Sequence, residues 1–246
     1  MTLLLVDAGN TRLKWTLATA DGIGEVHAVA HDAAGDSVGQ GERTVARIVV
    51  SSVVAPERTA RLVAALARRF PAATIETPAT PAAACGVTNA YDEPVRLGID
   101  RFFALVAARA RGTEPALTVS LGTALAIDAL ARDGRHLGGW IAPAPDLMRS
   151  ALLGATARIE WLRAPAPSAA FGRSTEAGLD AGTWQAAAAL VDRAAARLAA
   201  ELGEIPRVLV SGGAGERLAA LVHTPHAIAP HLVLEGLRHY ALACGG

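Results

Sequence analysis

The stretch Leu3-Leu-Leu-Val-Asp-Ala-Gly-Asn-Thr-Arg-Leu-Lys-Trp-Thr-Leu17 decides the reading of the fold. Leu3 to Val6 is an apolar run of strand length, and it stops at the polar turn Asp7 to Thr11. Leu13 to Leu17 then alternates like the second strand of a hairpin, which Asp21-Gly22 ends. The same pattern returns at Leu117-Thr-Val-Ser-Leu-Gly-Thr-Ala124, an apolar strand followed by a glycine turn with a hydroxyl residue. Gly122 lies 113 positions after Gly9 in a chain of 246 residues. Two strand–turn–strand units half a chain apart predict two α/β domains of related topology, with the boundary near Gly112 to Pro115.

Other segments agree with an α/β chain. Arg47 to Val54 is a β-branched strand, and Glu57 to Phe70 places Leu62, Val63, Leu66 and Phe70 at helical spacing. Phe102, Leu105 and Val106 mark a helix that starts after Asp100. Gln185 to Ala200 is alanine-rich helix, and Arg207 to Val210 is a strand running into Ser211-Gly-Gly-Ala-Gly215, with a helix from Glu216 to Leu221. Ala164 to Ala170, with Pro165 and Pro167, reads as a loop.

Composition excludes several classes. Acidic and basic side chains are equal at 23 each and the pI is near 7.1, which argues against nucleic acid or an anionic membrane as partner. No apolar run reaches the roughly 18–20 residues of a membrane span. The opening residues lack a basic segment, so the expectation is a cytoplasmic protein without a secretory signal. Cys85 and Cys244 make no disulfide framework and no metal-ligand spacing. His223, His226 and His231 have no carboxylate or cysteine partner in their stretch, His27 and His31 read as surface residues, and Trp15, Trp140, Trp161 and Trp184 read as packing.

Three strand-terminal glycine turns, Asp7 to Thr11, Gly122-Thr123 and Gly212 to Gly215, can expose backbone amides to phosphate. None matches the Walker A or dinucleotide spacing. The first is followed by Lys14, the only lysine of a chain that otherwise uses arginine. A compact ammonium and a planar guanidinium are not interchangeable beside phosphate oxygens. Together these features predict a nucleotide site. Gly98-Ile-Asp-Arg101 opens a helix, and Asp100 there is either a cap for the first amides or a carboxylate placed to take a hydroxyl proton. Spacing leaves both readings of Asp100 open. Arg101 is correspondingly a solvated partner or a clamp for an acid group.

In order along the chain, Asp7-Ala-Gly-Asn-Thr-Arg-Leu-Lys14, Gly98-Ile-Asp-Arg101, Gly122-Thr-Ala124 with Asp128, and Gly138-Gly-Trp-Ile-Ala-Pro143 resemble the signature of type III pantothenate kinases. Met148 to Ala157, Ser211-Gly-Gly213 and Leu232-Val-Leu-Glu-Gly-Leu237 continue the resemblance. Members in some β-proteobacteria were also named Bvg accessory factors. The family sits in the acetate and sugar kinase/Hsp70/actin superfamily. The resemblance therefore implies two RNase-H-like (actin-like ATPase) domains, here residues 1–113 and 114–246, with nucleotide bound in the cleft between them.

What the resemblance implies can be carried residue by residue. Asp7, Ala8, Gly9, Asn10, Thr11, Arg12, Leu13 and Lys14 would surround the ATP phosphates, with Asp7 holding Mg²⁺ through water and Lys14 near the transferring phosphate. Gly122 and Thr123 match the second phosphate loop, and Ser211 to Gly215 the adenosine-side loop. Asp100 matches the catalytic base, and Tyr91, Gly98, Ile99, Asp100, Arg101 and Thr175 match pantothenate-binding positions. The implied activity is ATP-dependent conversion of pantothenate to 4′-phosphopantothenate, the first step toward coenzyme A, by a homodimer. The family's monovalent cation, K⁺ or NH₄⁺, is held partly by an aspartate where this chain has Ser120. Ser174-Thr175 replaces a more usual Asn-Thr, and Ala144 stands where glycine usually follows the proline. The rival readings are a nucleotide-binding regulator without catalysis, and a superfamily kinase acting on another small hydroxyl or carboxyl substrate.

Overall fold

The computed structural model describes residues 2–30, 37–41, 44–156 and 170–243. His31, Trp161, the loop around Pro165 and Pro167, and Cys244 lie outside them. The described chain holds two five-stranded sheets and forms two units.

The first sheet is built from β1 (Leu3–Ala8), β2 (Leu13–Ala18), β3 (His27–Val29), β4 (Arg47–Ser52) and β5 (Thr74–Glu76), in the order β3-β2-β1-β4-β5. β1 runs antiparallel to β2 and parallel to β4. Side chains alternate across a strand, so the register sorts β1 into two sets. Leu4, Val6 and Ala8 join Ile48, Val50, Leu62, Leu66 and Phe70 in one buried cluster under α1 (Pro56–Arg69). Leu3, Leu5 and Asp7 point to the other face. A small hairpin, β6 (Ala83–Ala84) and β7 (Val87–Thr88), precedes α2 (Ile99–Ala110).

The second sheet repeats the first. Its strands are β8 (Ala116–Leu121), β9 (Ala124–Leu130), β10 (His136–Pro143), β11 (Arg207–Ser211) and β12 (His226–Ile228), ordered β10-β9-β8-β11-β12. β8 is antiparallel to β9 and parallel to β11, as β1 is to β2 and β4. The start of β8 at Ala116 follows that of β1 at Leu3 by the same 113 positions that separate the two glycine turns. Ser120 thus occupies in β8 the place of Asp7 in β1, and Ser211 beside it corresponds to Ser51. Around this sheet lie α3 (Pro145–Ala155), α4 (Thr175–Leu202) and α5 (Gly215–Ala219). Asp180 of α4 is buried between Arg217 and Arg149, and the Arg217 guanidinium lies 4.1 Å from the centre of the Trp184 ring.

The first unit comprises the chain up to Thr113, the segment Asp133–Leu137 and the segment from His231 onward; the second comprises Glu114–Arg132 and Gly138–Pro230. The first break, between Thr113 and Glu114, falls in the expected stretch, and α6 (Leu232–Ala243) belongs to the first unit. Its apolar face, Leu232, Leu234, Leu237 and Ala241, is buried. The Ala241 carbonyl accepts from Arg47 at 2.6 Å, and Arg111, which caps the end of α2, grips Glu235 with three contacts of 2.6, 2.8 and 2.9 Å.

Gly236 is what lets α6 approach α2: a Cβ there would stand 1.8 Å from the carbonyl oxygen of Phe103. In an open helix, Gly→Ala stabilises by about 1 kcal/mol. Gly236→Ala is expected instead to lower thermal stability, by about 2 kcal/mol or more, because two helices must separate. A denaturation curve that moves to higher temperature would contradict this packing.

Candidate functional site

Asp7 pairs with Lys14 across the antiparallel ladder and with Ser51 across the parallel one. Directly paired residues share a face, so the carboxylate, the ammonium and the hydroxyl emerge together near the carboxyl end of β1. Asp7 is partly buried as a residue, but its Oδ1 is fully enclosed and has no hydrogen-bond partner. Burial pushes its pKa from 3.8 up to about 7, and the charge of Asp100 adds to the rise; Lys14 and the Ser51 hydroxyl pull the other way. The loop Gly9 to Arg12 joins the two strands, with Asn10, Thr11 and Arg12 exposed.

Asp100 reaches this face from the first turn of α2. Gly98 holds the N-cap position of the helix, and Asp100 is the second residue of its first turn. Its Oδ1 accepts the Arg101 amide at 2.8 Å. A Cβ on Gly98 would lie 2.6 Å from that same oxygen, so glycine leaves the space the carboxylate occupies. Leu97 is anchored by Thr80, whose hydroxyl donates to its carbonyl at 2.7 Å.

Arg101 is buried, and its guanidinium donates to the Tyr91 hydroxyl at 3.2 Å. The Tyr91 loop is fixed by Asn89, whose side chain accepts the Tyr91 amide at 3.0 Å and donates to the Pro94 carbonyl at 3.1 Å. Asp7, Lys14, Tyr91 and Gly98 to Arg101 all belong to the first unit.

His231, just before α6, also belongs here. Burial and the charge of Lys14 lower its pKa, and its buried Nδ1 finds no partner. Sequence reasoning grouped it with His223 and His226, but those serve elsewhere. His223 contacts Asp192 and His226 contacts the Thr224 carbonyl. No cluster of three or more His, Cys, Asp or Glu that could hold a metal occurs among the described residues.

In the second unit Gly122 and Thr123 form an exposed turn between β8 and β9. Gly212 packs against it with φ +98°, where a Cβ would stand 2.1 Å from the Leu121 carbonyl oxygen. Thr175 is exposed at the first position of α4, and Ser174 caps that helix by accepting the Ala177 amide at 3.2 Å.

The family model for type III pantothenate kinase matches residues 3–197. The chain belongs to the type III pantothenate kinase family. Relatives described as type III pantothenate kinase include one from Halorhodospira halophila, 40% identical with 97% of each chain covered. Another, from Stenotrophomonas maltophilia, is 39% identical and covers 97% of this chain and 96% of its own. Among solved structures, a Baf family transcriptional activator from Campylobacter jejuni superposes with a TM-score of 0.67 at 19% identity, covering 97% of both chains. The ethanolamine utilization protein EutJ from Carboxydothermus hydrogenoformans gives 0.54 at 14% identity, covering 98% of this chain and 90% of its own. These likenesses show the fold alone, over nearly the whole chain. Membership makes the chain an ATP-dependent kinase acting on pantothenate.

Two outcomes are expected from this geometry. Gly98→Ala retains an allowed backbone at φ −52° and ψ 130°, so the fold should hold. The added methyl displaces the Asp100 carboxylate, and kcat should drop by about 10–10²-fold with unchanged thermal stability. Full activity would show that Asp100 need not sit where it does. The second concerns Asp7→Asn. The folded protein keeps the Asp7 proton up to about pH 7 while the unfolded chain loses it near pH 3.8. The stability from this group is full at low pH and is lost as pH rises through 7, at most about 4 kcal/mol. Without Mg²⁺ and nucleotide, Asp7→Asn should therefore melt several degrees above the parent at pH 8 and close to it at pH 4.5. An equal shift at both pH values would contradict the buried carboxylate.

Proposed function

We propose that the face carrying Asp7, Lys14 and Asp100 performs transfer of the ATP γ-phosphoryl group to the primary hydroxyl of pantothenate, giving 4′-phosphopantothenate for coenzyme A synthesis. The observation that carries this reading is the juxtaposition of two carboxylates and the chain's only lysine, with one carboxylate oxygen buried and unpaired. Phosphoryl transfer asks for positioning and charge neutralisation more than covalent help. Asp100 orients the acceptor hydroxyl and takes its proton as the new bond forms. Lys14 faces the transferring phosphate. Tyr91 and Arg101 hold the acceptor, with Arg101 suited to the pantothenate carboxylate.

Mg²⁺ fits Asp7. An unpaired, enclosed carboxylate oxygen at an unfavourable pKa is relieved by a cation, and Mg²⁺ commonly takes one or two carboxylates with waters and phosphates. When bound, it offsets charge on the phosphate oxygens. A monovalent cation fits poorly at Ser120, where a neutral hydroxyl replaces the carboxylate and supplies far less Coulomb attraction. Gly9 to Leu13 complete the reading of this face as phosphate contacts of the first unit. The reading includes a homodimer: Ile141, Leu147 and Leu152 are exposed apolar residues on β10 and α3 that a second copy would cover. Sedimentation giving an active monomer at assay concentration would remove that part.

The purified protein with Mg²⁺-ATP is expected to release ADP with pantothenate and not with sugars, short carboxylic acids or no acceptor. Release with another acceptor alone would move the substrate assignment, and release with none would favour a regulator. In the same assay, replacing sodium by potassium at fixed ionic strength should change turnover less than about threefold; a tenfold rise would show a retained cation site.

A further inference from the structure

His136 is 3% exposed, although it follows a charged turn, and no role has yet been given to it. Its Nδ1 accepts the Ala90 amide at 3.4 Å. The ring lies nearly parallel to that of Tyr91, with 6.0 Å between centres and 19° between planes. Tyr91 in turn meets Arg101 twice, by its hydroxyl at 3.2 Å and by its ring face at 5.9 Å from the guanidinium carbon. The series His136, Tyr91, Arg101 ends one residue from Asp100.

We propose that His136 is a positioning residue for the acceptor site, orienting Tyr91 and through it Arg101. The proposal rests on the reading of Tyr91 and Arg101 as pantothenate contacts.

Backbone contacts hold the imidazole where it can do this. The segment Asp133–Leu137 leaves the second unit to join the first. There the Gly134 carbonyl accepts the Thr88 amide at 2.9 Å, and Thr88 also bridges to Arg135. Gly134 adopts φ +87° and approaches so closely that a Cβ would stand 2.0 Å from the Gly86 carbonyl oxygen. The ring is thus delivered against residues 86–91 by a clamped turn, and its stacking partner Tyr91 is only half-buried. A ring kept solely for packing has no need of a partner that faces the acceptor site. Groups that orient binding side chains in this way fix geometry that the side chains alone would lose to rotamer freedom.

The test is steady-state kinetics with both substrates, plus melting temperature, for His136→Ala and His136→Phe, alone and with Tyr91→Ala. His136→Ala should raise the pantothenate KM about tenfold and leave the ATP KM within about twofold; His136→Phe, which keeps the stack, should raise it less. With Tyr91→Ala already present, adding His136→Ala should change the pantothenate KM less than twofold, because the path is already broken. Additive effects, or equal rises in both KM values with a lower melting temperature in both variants, would overturn the proposal as a packing effect. If Tyr91→Ala raises the pantothenate KM while the His136 variants do not, the proposal alone falls. If Tyr91→Ala leaves that KM unmoved, the acceptor assignment of Tyr91 falls and the proposal with it.

Discussion

Two carboxylates and one ammonium meet on one face of the first sheet, and the burial of Asp7, to which the charge of Asp100 adds, is the constraint on which that face depends. Left to itself, a side chain such as Asp100 would rotate away. It is kept in place because α2 begins at a glycine, because Leu97 is tied to Thr80, and because α6 packs across α2 at Gly236. Asp7 has less freedom still, being in the register of a central strand between two neighbours. The buried Asp7 carboxyl is held in an unfavourable setting by the stability of what surrounds it.

The two units share a topology but differ in the side chains at matching positions. Both units have the same strand order and the same turn after the first strand, yet the position that is Asp7 in one is Ser120 in the other. The first unit has a buried carboxyl with a raised pKa at this place. The second offers hydroxyls and an open glycine turn. A shared scaffold therefore carries ionisable groups on this face in one copy and a neutral hydroxyl at the matching place in the other.

Much of this was legible in the sequence. The alternation after Leu3, the strand ending at Asp7 and the repeat 113 positions later are period-two patterns that a sheet enforces on one face. The return of α6 was not legible, because helical periodicity says that a face is buried and not which element buries it. One signal did exist: Gly236 inside Leu234-Glu-Gly-Leu237 breaks a helical pattern, and such a glycine marks a close backbone approach. The role of Asp100 was undecidable because a cap and a first-turn carboxylate differ by only two positions. The start of α4 at Thr175 rather than Gln185 was hidden by Gly178 and Gly182, which weaken the helical pattern without ending the helix. His136 meets Tyr91 and His231 lies near Lys14 only through the fold, from far along the chain, so neither neighbourhood announced them.

The central claim is that Asp100 is the proton acceptor and not a structural cap. Its most direct test is kcat for Asp100→Asn, with ATP binding measured on the same preparation. Loss of a general base costs about 10²–10⁴-fold, so turnover should collapse while ATP still binds. A variant that keeps more than about a third of the parent kcat would contradict the account, since the amide retains an oxygen for the Arg101 amide but cannot take the proton.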